Sequence, residues 1–464
     1  MNKPLSADAG RSPRAGAHDE RTRRLLEAPV LPTLLRLAAP NMGEAAARVL
    51  FIACDALFVS WLGTEALAAI AIVFPLFLVT QMISAGGLGA GVSAAVARAI
   101  GAGALDVARR LAGQGLLLGL LAAAAIAAGM LAFGAPVYRM MGAEGAVLEQ
   151  ALAYSGLVFG GGVLVWLMNI GANVLRGTGN MAVPAGAIVA GEAGHLLLSP
   201  ALILGWGPFP ELGIAGAAVG VLAAYGIGAA IVLGYLLGGR ALLRPGLGDL
   251  VPRGAAMKPI LGVGILSALN VLQFQLTILV MTALAGVYGA TQLAGFGAAV
   301  RLELLQIPII FAFGSAVIAM TATNAGAGAV HRVRAIVWTG AVVAAGIGGV
   351  FALIALLLPG QWMGLLTEDA AVIAAGVDFL RTVGITLPLV GMAYSLFFAA
   401  LAIGQVAAPF SMGLARLGLI AGGGCLAVLY WQAEIGTLYL VVAASYVAFG
   451  LGMLAVVIRL LRRL

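Results

Sequence analysis

Charge is what this sequence has least of. Charged residues make up 9% of its 464 positions, where a soluble domain carries about 25%. Hydrophobic residues make up 62%, and the mean hydropathy is +1.09. Such a chain cannot cover a soluble globule with polar surface, so cytosolic enzymes and soluble binding modules are excluded. Lysine is almost missing: Lys3 and Lys258 are the only two, and the formal charge of +7 rests on arginine. In a membrane chain that excess reports orientation, and no nucleic-acid partner is expected. Cysteine is nearly missing too. Cys54 and Cys425 both sit in apolar runs, which excludes a disulfide scaffold and any metal-ligand spacing. No nucleophile–base pair, metal cluster or nucleotide loop is present. The chain therefore reads as no enzyme, with no catalytic residue, no metal site and no cofactor.

What is abundant is apolar length. Sixty-seven glycines suit membrane helices, which approach one another through small residues. About twelve apolar stretches reach the ~20 residues that a spanning helix needs. Six lie between residues 33 and 238, and six between 260 and 461. The fold class is all-α integral membrane, with about twelve transmembrane helices in two six-helix bundles. Residues 1–30 are polar and Arg-rich, lack the apolar core of a signal peptide, and read as a disordered cytoplasmic tail. The N-terminal bundle takes residues 31–238, a cytoplasmic linker 239–258, and the C-terminal bundle 259–464. Loops sort by charge. Arg98, Arg109, Arg110, Arg244, Arg253 and Arg332 fall on one side, while Glu65, Glu144, Glu211, Glu368 and Glu434 fall on the other. The positive-inside rule places both termini in the cytoplasm.

The two halves repeat. Gly101-Ala102-Gly103 with Arg109 recurs as Gly326-Ala327-Gly328 with Arg334, and 326 − 101 = 334 − 109 = 225. Gly179-Asn180 with Pro184 recurs as Gly404-Gln405 with Pro409, again 225 residues on. Gly63 with Leu67-Ala68 recurs as Gly289 with Leu293-Ala294, offset by 226. Duplicated membrane halves are a common build of secondary transporters, with the substrate site between them. Six spans per half is even, so both halves enter from one face and their pseudo-two-fold axis runs along the membrane normal.

Ionisable residues inside the spans are the candidate site. A charge at the bilayer centre costs from ~3 to more than ~10 kcal/mol and faces a partner or water. Glu44, Arg48 and Asp55 lie on one face of the first span by their spacings of four and seven. They make either a proton or cation site in a water-filled cavity or a structural ion pair. Glu192, His195 and Ser199 share a face of the fifth span. The histidine either relays protons or hydrogen-bonds a neighbouring helix. Asn169 and Asn173 in span four, and Asn270, Gln273 and Thr277 in span seven, line a substrate path or glue helices together. Arg301 and Glu303 in span eight point to different faces, and Arg416 in span eleven needs a partner. Gly160-Gly161-Gly162 reads as a helix-packing site.

These residues resemble one family. The run Asp55-Ala-Leu-Phe-Val-Ser-Trp-Leu-Gly63 with Leu67-Ala68 is similar to the first span and loop of the multidrug and toxic compound extrusion (MATE) family. Gly86-Gly87-Leu88-Gly89-Ala90-Gly91 with Arg98-Ala-Ile-Gly101 resembles its second span and following loop. Asn173-Val-Leu-Arg176-Gly177-Thr-Gly179-Asn180 resembles its loop after span four. The resemblance implies two bundles forming a V and cation-driven drug efflux. In the branch nearest this pattern a first-span aspartate is the coupling residue, and Asp55 matches it. That branch has an Asn and an Asp in span five where this chain has His195 and Ser199, and a Thr in span six where it has Val221. Lost oxygen ligands weaken a sodium site, while a His–Asp pair still exchanges protons. The resemblance thus implies a proton antiporter, in preference to sodium, that exports amphipathic and cationic compounds. It is expected to work as a monomer in a prokaryotic inner membrane. The alternative is a lipid-linked precursor or polysaccharide flippase of the same superfamily, favoured by Arg48, Arg301 and Arg416 but opposed by twelve spans where about fourteen are usual. The ion-coupling candidates are Asp55, His195, Ser199, Glu44, Arg48 and Glu192. The substrate candidates are Asn169, Asn173, Asn270, Gln273, Thr277 and Arg301.

Overall fold

The computed structural model describes residues 13–464, with side chains from residue 20 onward except those of 49–53, 55 and 56. Among these residues every regular element is helical. A first helix, α1 (Pro13–Glu27), precedes twelve spans. The first half holds Val30–Ser60, Thr64–Gly101, Leu105–Met140, the pair Gly145–Gly160 and Val163–Gly177, Ala182–Leu204 and Ile214–Leu237. The second holds Gly254–Gly286, Ala290–Gly326, Val330–Leu357, Ala370–Ala402, Ala407–Tyr430 and Ile435–Arg463. Ten of these are long and apolar enough to cross a membrane by themselves, and the bent pair makes an eleventh. Val30–Ser60 is the twelfth. Its 31 residues rise ~45 Å, more than the ~30 Å hydrocarbon core requires.

The bend in span four measures 42° and falls at Gly160–Gly162. A side chain at Gly161 would strike Leu222 of span six. The glycines therefore serve packing, as their sequence suggests, and break the helix as well.

The internal repeat is visible in the backbone. Gly63 and Gly289 take φ of 94° and 97°, Gly103 and Gly328 take 72° and 71°, and Gly179 and Gly404 take 76° and 81°. Side-chain-bearing residues rarely adopt these values, so each pair closes the same turn in its own half. The halves also meet reciprocally. A methyl group on Gly101 would collide with the carbonyl of Thr323, and one on Gly326 with the carbonyl of Arg98. Since 98 + 225 = 323 and 101 + 225 = 326, the contact of Gly101 with Thr323 maps onto that of Gly326 with Arg98 when the halves are exchanged. That is the signature of a two-fold contact, and the axis passes between spans two and eight at their Arg-rich ends.

Further polar contacts close this end. Arg98 donates to the carbonyl of Ala402 at 2.6 Å, where span ten stops. Asn324 donates to the carbonyl of Leu25 at 2.9 Å, and Arg332 to that of Ala28 at 2.8 Å. Leu25 is buried against Gly179. Residues 13–27 are thus helical, and their end is docked on span eight, which corrects the expectation of a disordered tail over residues 1–30. The apolar pair Leu25-Leu26 supplies the reason, since one of the two can be buried once the helix forms. Residues 1–12 lie outside the described residues. The linker region is equally tied down. Gln114 of span three donates to the carbonyls of Asp249 at 2.6 Å and Val251 at 2.7 Å, and accepts from the backbone N–H of Arg253 at 3.0 Å. Span seven already begins at Gly254.

Overpacking the seam should loosen it, by about 1–3 kcal/mol for a side chain forced into filled space. With Cys54 and Cys425 replaced, Gly326→Leu should raise the thiol-labelling rate of Thr323→Cys, a fully buried position, several-fold. Leucine at Gly234, which faces open space, should leave the rate unchanged. Equal rates in both backgrounds would disprove the seam.

Candidate transport site

Between the halves lies a cavity of about 300 Å³. Its two walls differ in kind. The first half contributes Asn41, Glu44, Arg48, Gln81, Asn169, Asn173 and Arg176. The second contributes Val271, Ile307, Phe311, Ile318 and Phe398, with Ser315 its polar exception. Span one reaches across the cavity. Leu34 and Ala38 join the core of the second half, and Asn41 donates to the Ser315 hydroxyl at 2.6 Å.

The polar wall is organised by ion pairs. The Glu44 carboxylate receives Arg176 of span four at 2.9 Å and Arg48 of its own helix at 3.5 Å. Arg48 in turn stands 4.0 Å from Glu192 of span five, with Tyr225 of span six beside it. Four charges therefore alternate in sign across spans four, one and five. A carboxylate shared by two guanidiniums, with both lone-pair faces used, is the arrangement in which partly buried charges offset their desolvation. The face predicted from the spacing of Glu44 and Arg48 is the one found, and Arg48 pairs with Glu44. Asp55 lies on the same helix, but its side chain is outside the described residues.

The asparagines do two things at once. Residues Ile83–Leu88 form a wide π turn within span two, and such turns misalign the backbone ladder. Asn173 donates to the carbonyl of Ala85 at 3.1 Å, and Asn169 to the Ser84 hydroxyl at 2.7 Å. Gly89 leaves the room that Asn173 needs. The same two side chains line the cavity, so the pair ties helices together and also faces the space between the halves.

Other candidates lie elsewhere. Glu192 touches the ion network from behind the wall. His195 and Ser199 are buried and outside the cavity lining, with Ser199 packed on Gly220 of span six. In span seven it is Val271 that faces the cavity. Asn270 and Gln273 instead turn their amide oxygens toward Gly413 of span eleven, and Gln273 donates to Thr277 at 3.2 Å. A small residue on the neighbour makes that space, which one helix cannot reveal. Arg301 is exposed on the outer face of span eight, while Glu303 is buried, so the two do point apart. The Tyr446 hydroxyl donates to the Glu303 carboxylate at 2.8 and 3.0 Å. Arg416 lies over the rings of Phe449, Tyr446 and Phe274 at 4.9, 5.7 and 5.9 Å. That cation–π cage answers what the buried guanidinium packs against. Sequence reasoning missed Asn41 and the reach of Arg176. Asn41 was findable, since it sits three residues before Glu44 on the same face. The Arg176 contact crosses between spans one and four and carries no local signal.

Comparison with known proteins agrees with this architecture. The MatE family model matches residues 40–200 and 267–422, one stretch in each half. The FAD transporter of Shewanella oneidensis is 33% identical over 312 residues, covering 67% of this chain and 68% of its own. The probable multidrug resistance protein NorM of Thermotoga maritima is 26% identical over 355 residues, covering 76% and 75%. Among solved structures, a MOP superfamily transporter of Pyrococcus furiosus is described as having a binding pocket of reverse polarity that suggests a different function. It superposes with a TM-score of 0.85 at 27% identity, over 94% of this chain and 97% of its own. An outward-facing multidrug resistance MATE transporter matches with a TM-score of 0.85 at 26% identity, over 94% and 97%. A duplicated twelve-span chain, a cavity between its halves and a family match in each half lead to one assignment: the chain belongs to the multidrug and toxic compound extrusion family of membrane transporters.

Proposed function

We propose that the protein is a proton-coupled antiporter that exports amphipathic compounds by alternating access, as a monomer in a prokaryotic inner membrane with both termini cytoplasmic. The observation that carries this reading is the two-sided cavity. Its apolar wall suits the hydrophobic part of a solute, and its charged wall offers an ion network whose partners sit on three separate spans. Asp55 is the proposed coupling residue, with His195 in its proton pathway. Arg48 has partners in Glu44 and Glu192, so its charge does not require the carboxylate at 55 as a partner. Sodium is the weaker choice because His195, Ser199 and Val221 supply few hard oxygen ligands.

The charge of the wall bears on the substrate. Across the network the charges balance (2 − 2 = 0), but Glu192 stands behind the wall, so the described lining itself presents the guanidiniums of Arg48 and Arg176 and the one carboxylate of Glu44. Among the described lining residues a cation meets no uncompensated carboxylate. Cationic substrates are what the sequence suggests, but this wall favours an amphipath that carries an anionic group. The relative from Shewanella, named as a transporter of a dinucleotide, points the same way.

Reconstitution tests these claims together. Purified protein in liposomes should move substrate under a proton gradient and not under a sodium gradient. Flavin adenine dinucleotide should be carried in preference to a fluorescent cationic dye. Asp55→Asn should abolish gradient-driven transport and retain substrate binding. Transport driven by sodium alone would overturn the coupling claim, and preference for the dye would restore cationic substrates.

Arg176→Gln should weaken flavin binding about tenfold, or about 1.4 kcal/mol, and lower thermal stability because it leaves Glu44 with Arg48 alone, at 3.5 Å. The stability loss should stay below ~3 kcal/mol, the low end for stranding a buried charge, since Arg48 remains beside Glu44 and both side chains of the broken pair keep 12% exposure. An unchanged melting temperature would show that the pair contributes nothing. For orientation, cysteines at the exposed positions Glu144 and Glu434 should label from outside intact cells, and one at Arg244 should not. The reverse pattern would invert the topology.

A further inference from the structure

The linker between the halves forms a second pocket that the transport cycle leaves unexplained. It has a volume of about 420 Å³ and is lined by Arg109 and Arg110 at the start of span three, and by Arg244, Asp249 and Arg253 of the linker. Four guanidiniums thus face one carboxylate in its wall. Asp249 is 3.3 Å from Arg109. Asp106, whose side chain is largely in solvent, reaches the same arginine at 3.6 Å. Even with both counted, the pocket keeps two positive charges in excess (4 − 2 = 2). Converging guanidiniums that lack matching anions are the arrangement that takes phosphate oxygens.

The pocket is built rather than incidental. Gln114, itself buried, holds the linker backbone at residues 249, 251 and 253 through three hydrogen bonds. Backbone approach is so close that a side chain at Gly113 would collide with Asp249. Arg244 and Arg253 therefore sit on a loop held against the helix that carries Arg109 and Arg110.

Its rim is apolar. Leu247 is 87% exposed and Val251 55% exposed, both within the linker. Large aliphatic side chains standing out from a cationic loop are poorly solvated in water, but fit the interface of a bilayer. Directly after Arg253, a groove of about 490 Å³ runs along span seven past Met257, Lys258, Leu261 and Ile265. Those residues recur at helical spacing on one face. A headgroup pocket thus continues into an apolar channel of lipid-facing helix.

We infer that this pocket binds the phosphate headgroup of an anionic phospholipid, with an acyl chain along span seven. A basic pocket at the end of the helices that the positive-inside rule assigns to the cytoplasm meets the leaflet rich in such lipids. Free phosphate shares the headgroup chemistry but has no use for the apolar rim and groove. Because the linker joins the halves, the bound lipid also steadies the joint about which they move.

Native mass spectrometry and titration of the full chain in neutral detergent test this with dioleoyl phosphatidylglycerol as the probe. Arg244→Gln with Arg253→Gln should weaken lipid binding about tenfold. Arg244→Lys with Arg253→Lys should keep most of it. Arg462→Gln with Arg463→Gln, exposed at the same end, should change little. Inorganic phosphate at millimolar concentration should not displace the lipid. In liposomes, the Gln pair should remove the dependence of transport rate on phosphatidylglycerol while leaving transport in phosphatidylcholine unchanged. Equal loss in the Arg462/Arg463 variant would reduce the site to general surface charge and overturn the inference. Displacement of the lipid by phosphate would overturn it in favour of a free-phosphate site. Undiminished lipid binding by the Gln pair would also end it.

Discussion

Two membrane halves with a cavity between them must close somewhere, and in this protein they close backbone on backbone. Gly101 meets Thr323 and Gly326 meets Arg98 with no side chain interposed. Such proximity brings spans two and eight close enough for carbonyl groups to contact α-carbons, which only glycine permits. Everything above the seam follows from it. Because spans two and eight converge at the Arg-rich end, spans one and seven are drawn across to the opposite halves. Leu34 and Ala38 pack in the second core for that reason, and Gly91 packs against Gly264 in mirrored fashion. The cavity is the space left above the crossing.

The halves began alike and have divided their labour. At the seam and at the three pairs of left-handed glycines they still match. In the cavity they do not. The first half keeps Glu44, Arg48 and Arg176 at the wall as an open network, with Glu192 behind them. The second half sequesters its own, with Arg416 caged by aromatic rings and Glu303 held by Tyr446. One half thus presents a surface that can exchange partners and the other a surface that fits a hydrocarbon. An amphipathic solute is the natural occupant of such a space.

Much of this architecture is legible in the residues, because the strongest signals are the ones membranes enforce. The 225-residue offset reappears as matched backbone angles. The spacing of Glu44 and Arg48 predicts a shared face, and the ion pair is there. The asparagines of span four face inward, as their polarity requires. What is not legible depends on neighbours. In span seven the polar stripe looks as suited to the cavity as any, yet Gly413 of span eleven opens a niche that takes Asn270 and Gln273. Within a bilayer, polarity says that a residue avoids lipid without saying which interior surface it meets. The N-terminal segment misleads for a related reason. Its charges suggest disorder, while one buried leucine and the carbonyls at its end suffice to dock its helix on span eight.

If the two halves alternate access as proposed, the glycine seam that closes the Arg-rich end must part in every cycle. The direct measurement of that parting uses a chain lacking Cys54 and Cys425, with cysteines at Ala102 and Ala327 joined by a short reducible thiol cross-linker. Transport in liposomes should stop when the reagent bridges the two positions and return on reduction, while each single-cysteine variant treated alike keeps working. Full transport by the bridged protein would show that the seam is a fixed joint and not a gate.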